Sequence, residues 1–235
     1  MTVKAELVEP IFALPLAYYK YPDDKHKELL DATRQAIKKV QPGKSDYTEN
    51  LTHFYQHTKE HLLYDNDDPI FQHYHDWLEE CYADYVTNVQ GWMVTEKSYI
   101  TDCWVNVTKE GGSQVLHSHA NSFVSGTYYL HMEEGAGEIM YINPISMANR
   151  PYMGFDNCKA TIYNESQHFG NCKEQYLILW PSNLSHMTTP TKNNATRVSI
   201  SMNFMPQEFL AGAYNFKVVK HDEEVVSKLR KSTDL

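Results

Sequence analysis

Two segments in the first half of the chain carry apolar side chains at helical spacing. From residue 24 to 40, and again from 69 to 89, apolar residues recur every three or four positions, which is typical of an amphipathic helix with one buried face. Pro69 opens the second segment and Gly91 follows it. Proline at the first helical position and glycine just beyond the last are common helix boundaries. The pattern therefore predicts two helices packed against a sheet.

The pattern changes near residue 98 to short runs rich in β-branched and aromatic residues. Glycine, proline and asparagine separate the runs, as expected of strands joined by turns. The predicted strands are 99–107, 114–116, 125–130, 138–142, 175–180 and 197–204. Many short strands after two helices indicate a mainly β fold, a sandwich or barrel with flanking helices.

One long segment follows neither period. Residues 143–174 carry several prolines and glycines, and a loop of that length inside a compact domain is usually functional. We therefore predict a lid or substrate-binding insertion there. The whole chain is predicted to be one domain, with a helical or mixed support region over 1–94, a β core over 95–206 and a charged tail over 207–235 that contains a helix around 223–230.

Composition narrows the possible partners. The chain has 235 residues, 42% of them hydrophobic, and 21 basic against 30 acidic residues give a formal charge of −9. That balance disfavours nonspecific binding to nucleic acids or anionic membranes. No apolar stretch of about 18 residues and no secretion signal occurs, and the four cysteines show no CxxC spacing. We expect a cytoplasmic protein with free thiols, acting on a small molecule or a peptide.

Three histidines form a candidate metal site. His117 and His119 stand two residues apart, and His186 lies far along the chain. On an extended strand, residues two apart point to the same side, so both could face a barrel interior while a distant strand supplies the third ligand. Three neutral imidazoles suit iron, zinc, copper or nickel and leave coordination positions open. The set therefore indicates a catalytic metal rather than a structural one.

An arginine follows at a distance that fits a neighbouring strand. Arg197 comes 11 residues after His186, which leaves room for a turn and a return strand. A guanidinium presents a planar fork that matches a carboxylate, and Ser199, two residues on, points the same way and can add a hydroxyl donor. A cation site and an anion clamp could thus share one cavity.

Several ordered runs surround these residues: Trp104–Asn106, Gly112, His117–His119, Ser125–Leu130, Trp180–His186 and Arg197–Asn203. They resemble the iron- and 2-oxoglutarate-dependent oxygenases, a family with members in marine bacteria and their phages, and the resemblance extends over about residues 8–206. These proteins are similar to prolyl-hydroxylase-type enzymes built on a double-stranded β-helix, the jelly roll of cupins. The resemblance implies that fold here.

The resemblance also implies an activity and roles for the residues. His117 and His186 would bind Fe(II), position 119 is the usual place of an acidic ligand, and Arg197 would bind the distal carboxylate of 2-oxoglutarate. The enzyme would be a dioxygenase that releases succinate and carbon dioxide and hydroxylates a peptide side chain or a small metabolite.

Smaller roles are predicted for the pocket walls. Either Tyr128 or Tyr129 could reach the carboxylate of 2-oxoglutarate, although aromatic strand positions are more often core. Asn106 is expected to line the pocket.

His119 departs from the 2-His-1-carboxylate pattern of non-haem iron oxygenases. Three interpretations follow: a three-histidine iron site that still works, a two-histidine site with water and with His119 turned away from the metal, or a non-enzymatic descendant. Asp102 is a fallback acidic ligand only if its strand lies near the histidines.

Rival functions also stay open. Three imidazoles fit a cupin-type three-histidine dioxygenase or a zinc hydrolase, and a β-rich binding or assembly protein could have kept the fold without catalysis. Arg197 discriminates among them, because neither rival enzyme needs a carboxylate clamp at that position.

Overall fold

A computed structural model describes residues 13–44, 50–56, 60–144, 161–162 and 164–219. The helix predicted around 223–230 and the greater part of the predicted 143–174 insertion lie outside these residues. No helix within the described part of the chain is long and apolar enough to cross a membrane.

Both predicted helices are present. Helix α1 spans Asp23–Ala36, and its two leading aspartates sit in the first turn, where negative charge faces the positive end of the helix dipole. Helix α2 spans Pro69–Asp84, and the Asp68 side chain accepts a hydrogen bond from the backbone N–H of Ile70 at 3.1 Å. A π-helical turn over Tyr85–Val89 continues α2, so the predicted apolar face runs to its expected end.

The remaining described elements are twelve strands. They are β1 Ala17–Lys20, β2 Gly43–Lys44, β3 Leu51–Phe54, β4 Ser98–Thr108, β5 Val124–Met132, β6 Ile139–Ile142, β7 Gln167–Phe169, β8 Tyr176–Pro181, β9 His186–Thr188, β10 Arg197–Pro206, β11 Glu208–Ala211 and β12 Tyr214–Lys217. A seven-stranded sheet runs in the order β1-β8-β5-β10-β4-β3-β2, and a three-stranded sheet in the order β7-β6-β9. The predicted β-rich jelly-roll class with flanking helices is confirmed.

The segment before His117 is not the strand that its sequence predicts. Residues 114–116 form no ladder; the backbone N–H of Gln114 instead donates to the hydroxyl of Thr188 at 2.7 Å. A side-chain oxygen thus replaces the carbonyl that a ladder would supply. Strand β7 also lies inside the predicted 143–174 loop, and the β11-β12 hairpin inside the predicted tail.

The large sheet is buried on both faces. On one face α1 and α2 cover a core that contains Tyr74 and Tyr128, and on the other face the smaller sheet covers a second cluster with Tyr129 and Trp180. Neighbouring residues of a strand point to opposite faces, so β5 contributes a tyrosine to each layer. The cavity described next opens on the face away from the helices.

Candidate metal centre

The structure brings the three predicted histidines together. The backbones of His117 and His186 pair as an isolated antiparallel bridge, with both N···O distances at 2.9 Å. His119 continues the same extended chain, and its N–H donates to the carbonyl of Ser182 at 3.0 Å. One ring nitrogen from each histidine lies within 4.8 Å of the others, and the Nε2 atoms of His117 and His119 are 3.3 Å apart.

The outer nitrogen of each ring is held by an oxygen acceptor. The accepting oxygens are the backbone carbonyl of Val115 for His117 (2.7 Å), the backbone carbonyl of Leu184 for His186 (2.9 Å) and the side-chain amide of Asn203 for His119 (2.6 Å). An oxygen of this kind only accepts, so each Nδ1 carries the proton and each Nε2 keeps its lone pair. Such anchoring of the outer nitrogen is typical of metal-binding histidines.

The inner nitrogens fit a cation. Burial lowers the pKa of His186 to about 3, and the neighbouring His117 adds to this effect. Burial also lowers the pKa of His119, so neither of these rings carries an extra proton at neutral pH. Lone pairs 3.3 Å apart repel each other, whereas two nitrogens that share an ion about 2.1 Å from each attract it together. The three rings suit a first-row divalent metal with open positions.

This burial predicts a specific pH dependence of stability. Between about pH 6.5 and pH 3 the unfolded chain binds a proton at His186 that the folded protein excludes, because the folded pKa is about 3. With chelator present, the free energy of unfolding should fall as pH drops through this window, by up to about 1.4 kcal/mol per pH unit for this group. His186→Asn should flatten that slope in urea denaturation. Identical slopes in both proteins would contradict the assignment.

Arg197 is a buried cation in the wall of the same cavity. It is 3% exposed, and its NH1 donates to the carbonyl of Gly137 while its NH2 donates to the Thr108 hydroxyl at 3.3 Å. Its Nε has no hydrogen-bond partner, and within the described residues no carboxylate forms an ion pair with it. Burial lowers its pKa. A buried charge without a counter-ion is costly, so the geometry suits an anionic ligand.

Strand alternation explains which residues reach the cavity. Along β10, every second side chain from Arg197 lines it, and the intervening residues face the helices. The cavity has a volume of about 280 Å³. Its polar lining includes His53, Gln56, Asp102, Asn106, Gln114, His117, His119, Thr127, Tyr129, His186, Thr188, Arg197, Ser199, Ser201 and Asn203.

Asn106 lies where the sequence predicts, in the wall formed by β4. Its Nδ2 donates to the hydroxyl of Ser201 at 2.9 Å, and its Oδ1 accepts from Trp104 Nε1 at 3.0 Å and contacts His53 Nδ1 at 2.7 Å. The Asn106 amide is therefore fixed by three neighbours and shapes the wall. Ser199, also predicted, is buried beside Arg197 on the same face.

The structure corrects the position predicted for Tyr128. Its ring packs against Tyr21 and Tyr74 in the helical core, and its hydroxyl lies 2.6 Å from His26 Nδ1. The neighbouring Tyr129 lines the cavity instead. Burial raises the pKa of Tyr129 well above its ordinary value, so it offers a protonated hydroxyl.

Asp102 is not placed as a fallback ligand. Its carboxylate is exposed at the cavity edge and accepts a hydrogen bond from Asn203 Nδ2 at 3.2 Å, and the clustered ligand atoms are those of the three histidines alone among the described residues. Asn203 and Ser125 both contact His119 Nδ1, and the sequence did not predict a role for either. Their one signal in the sequence is that both lie within the runs that resemble the oxygenase family.

Gly137 links Arg197 to the smaller sheet, and its replacement is predicted to disturb both. A Cβ there would overlap the backbone carbonyl of Thr189, so Gly137→Ala must shift the backbone of Thr189 or that of residue 137, whose own carbonyl accepts from Arg197. We expect a loss of about 1–3 kcal/mol in the free energy of unfolding, as for other overpacked sites. Gly43→Ala is the control, because a Cβ there meets its nearest atom at 3.6 Å. Equal unfolding midpoints in the two variants would contradict this prediction.

Comparison with known proteins agrees with this geometry. Residues 102–203 match the model of a family described as “Putative 2OG-Fe(II) oxygenase”. Comparison with curated proteins gives no match.

Solved structures share the fold. The epimerase SnoN in complex with Fe³⁺, alpha ketoglutarate and nogalamycin RO aligns with a TM-score of 0.58 at 10% identity, covering 88% of this chain and 90% of that one. HygX from Streptomyces hygroscopicus with nickel, 2-oxoglutarate and hygromycin B aligns with a TM-score of 0.53 at 11% identity, over 82% and 83% of the two chains. A Pseudomonas putida prolyl-4-hydroxylase gives 0.52 at 11% identity, over 82% and 93%.

These alignments establish the fold, and the family match lies on the strands that build the cavity. The predicted family and the predicted jelly roll are therefore both confirmed. The segment from residue 102 to 203, which holds all three histidines and Arg197, matches the model of the 2OG-Fe(II) oxygenase family.

Proposed function

We propose that this chain is an Fe(II)- and 2-oxoglutarate-dependent oxygenase in which His117, His119 and His186 hold the iron and Arg197 binds the distal carboxylate of 2-oxoglutarate. One observation carries the proposal. A buried guanidinium with no anionic partner among the described residues faces the same cavity as three convergent imidazoles. A metal would bind the three imidazoles, and a dicarboxylate would neutralise the guanidinium.

The side chains around Arg197 suit a carboxylate. Ser199 and Tyr129 line the cavity with Arg197, and both carry hydroxyl groups that can donate to an oxygen anion. The guanidinium Nε adds a donor that no described residue accepts from. When bound, iron and 2-oxoglutarate would supply oxidative decarboxylation to succinate and carbon dioxide, coupled to oxidation of the substrate.

Aromatic side chains limit water around the histidines. The Trp180 ring lies 4.9 Å from that of His186, and the Trp104 ring lies 5.9 Å from that of His119, measured between centroids. Both tryptophans are less than a tenth exposed. A dry surrounding strengthens electrostatic attraction between the protein and charged ligands, which favours tight binding of a dianion.

Among the three interpretations of His119, we favour the three-histidine iron site. Its Nε2 points toward that of His117 at 3.3 Å, and its Nδ1 is occupied by Asn203. A ring turned away to leave a two-histidine site would need the opposite arrangement. A neutral third ligand would make the net charge of the metal centre one unit more positive than that of a 2-His-1-carboxylate site.

For the substrate, we propose a small molecule or a peptide side chain that undergoes hydroxylation. The cavity of about 280 Å³ lies at the small end of ligand pockets, which run from about 300 to 1,000 Å³. It would hold the cosubstrate and one small group. The roles of 143–174 as a lid and of 1–94 and 207–235 as parts flanking a core over 95–206 stay predictions.

The test is cosubstrate turnover by purified, iron-loaded protein. We expect binding of 2-oxoglutarate by calorimetry and slow succinate release without substrate, both abolished by chelation of the metal. Protein that holds iron yet neither binds nor consumes 2-oxoglutarate would refute the proposal in its catalytic form and favour a binding or assembly role.

A further inference from the structure

The side chains behind His119 form a directed hydrogen-bond chain that ends on a carboxylate. His119 Nδ1 donates to Asn203 Oδ1 at 2.6 Å, and Asn203 Nδ2 donates to Asp102 Oδ2 at 3.2 Å. Residues 102 and 203 are direct partners in the β4-β10 ladder. The backbone register therefore places the carboxylate and the amide side by side behind the ring.

From this chain we propose that Asp102 and Asn203 are positioning residues that hold His119 as an Nε2 ligand of the metal. The inference rests on the proposed function, since it concerns the histidine that stands where a carboxylate is usual. It assigns a task to Asp102, which the metal cluster itself does not use.

The two ends of the Asn203 amide differ in hydrogen bonding, because Oδ1 accepts and Nδ2 donates. With Oδ1 toward His119, the ring must carry its proton on Nδ1 and present a bare Nε2 to the metal. With the amide reversed, Nδ2 would face Nδ1, the ring proton would move to Nε2, and the ligand would be lost. The orientation of one amide thus decides whether His119 can coordinate.

Asp102 is the group that selects the orientation. An ionised carboxylate accepts hydrogen bonds and never donates them, so it takes only the Nδ2 end of Asn203. The other neighbour, Ser125, donates to Asn203 Oδ1 at 2.8 Å and also contacts the Ser182 hydroxyl at 2.8 Å. A hydroxyl can rotate to serve either amide orientation, so the serines cannot enforce one.

The charge of Asp102 suits this position. The three imidazoles bring no negative charge to a divalent ion, and Asn203 links one of them to the carboxylate of Asp102. Outer hydrogen-bond partners of metal-binding histidines raise ligand basicity, and their removal typically lowers metal affinity by about 10- to 100-fold. We expect Asp102 and Asn203 to act in that range.

The test reads the His119 tautomer directly in metal-free protein. Long-range ¹H–¹⁵N NMR distinguishes protonated from bare ring nitrogens, and His119→Gln assigns the signals by their loss. In the wild type we expect a proton on Nδ1 of His119. Asp102→Ala, at an exposed position, should give a mixture of tautomers or an Nε2–H form. An unchanged tautomer in Asp102→Ala would overturn the proposal.

Metal affinity supplies the second readout. Co(II) titrations followed by its visible spectrum should give affinities about 10-fold weaker for Asp102→Ala and about 10- to 100-fold weaker for Asn203→Leu. Asp102→Ala combined with Asn203→Asp should recover the affinity, because a carboxylate at 203 accepts from His119 whichever way it turns. Failure of this rescue would overturn the orienting role. Glu110→Ala, which removes an exposed carboxylate beyond β4, should leave the affinity unchanged.

The outcomes separate this proposal from the enzymatic one. If the wild-type tautomer is Nδ1–H and shifts in Asp102→Ala, while the loaded protein fails to consume 2-oxoglutarate, the positioning role stands and the oxygenase function falls. If 2-oxoglutarate is consumed but Asp102→Ala changes neither the tautomer nor the Co(II) affinity, the oxygenase function stands and the positioning role falls.

Discussion

Arg197→Met is expected to weaken 2-oxoglutarate binding strongly while making the cosubstrate-free protein harder to unfold. The guanidinium is 3% exposed and no carboxylate in the described structure neutralises it. Truncating a buried, hydrogen-bonded charge that binds a partner costs about 2–5 kcal/mol, which corresponds to a loss of affinity of about 30-fold or more. Calorimetry with 2-oxoglutarate on metal-loaded protein measures the loss.

Arg197→Met is informative because it should lower the affinity for 2-oxoglutarate and raise the free energy of unfolding. An apolar side chain of similar length removes a buried charge without a counter-ion, although it also gives up the hydrogen bonds to Gly137 and Thr108. We expect a net gain of about 1 kcal/mol in the free energy of unfolding without cosubstrate, and no further stabilisation when cosubstrate is added. Arg34→Met, on the exposed face of α1, is the control. Preserved binding in Arg197→Met would contradict the assignment.

His186→Ala is expected to remove the metal. His186 is the most buried of the three histidines, and its backbone pairs with that of His117 from a distant part of the chain. Removal of a hydrogen-bond partner of a metal-binding histidine weakens metal binding by about 10- to 100-fold. Loss of a ligand itself should therefore weaken it by more than about 100-fold. Purified protein should then contain almost no iron, and succinate release should fall below detection.

His168→Ala controls for the loss of an imidazole, because His168 is half exposed on β7 and pairs with Glu165. Circular dichroism of both variants checks that they fold. Full iron content and turnover in His186→Ala would show that the metal lies elsewhere.

The spacing of the histidines was sufficient to predict their meeting, although the local structure differs from the one expected. His117 and His119 do not sit in a strand; their segment is extended and bridges to β9 only at His117. An extended backbone places alternate side chains on one side whether or not a ladder forms. The two-residue spacing therefore predicted the side-chain geometry correctly, although the predicted strand is absent at these residues.

The orientation of β5 could not be predicted from the sequence. Tyr128 and Tyr129 are both fully buried, one against the helices and one against the smaller sheet. When both faces of a strand are apolar, the pattern no longer shows which residue faces which layer. A register shift between Val198 and Ser199 in the pairing of β10 with β5 adds to the ambiguity.

The groups behind the histidines were also beyond sequence analysis. Asn203 contacts His119 across 84 residues and Ser125 across 78. Such contacts depend on which strands pair and in which register, and short polar residues give no pattern of their own. The buried Arg197 was easier to find, because its chemistry is unusual in a strand of apolar and small residues.

The most direct test of the account is anaerobic titration of the protein with Fe(II) and 2-oxoglutarate, followed by visible absorption. Chelation of Fe(II) by a 2-oxo acid gives a charge-transfer band that neither component gives alone. We expect one equivalent of iron to develop this band in the wild type, no band in His186→Ala, and a band only at far higher 2-oxoglutarate in Arg197→Met. Iron bound without any such band in the wild type would contradict the account.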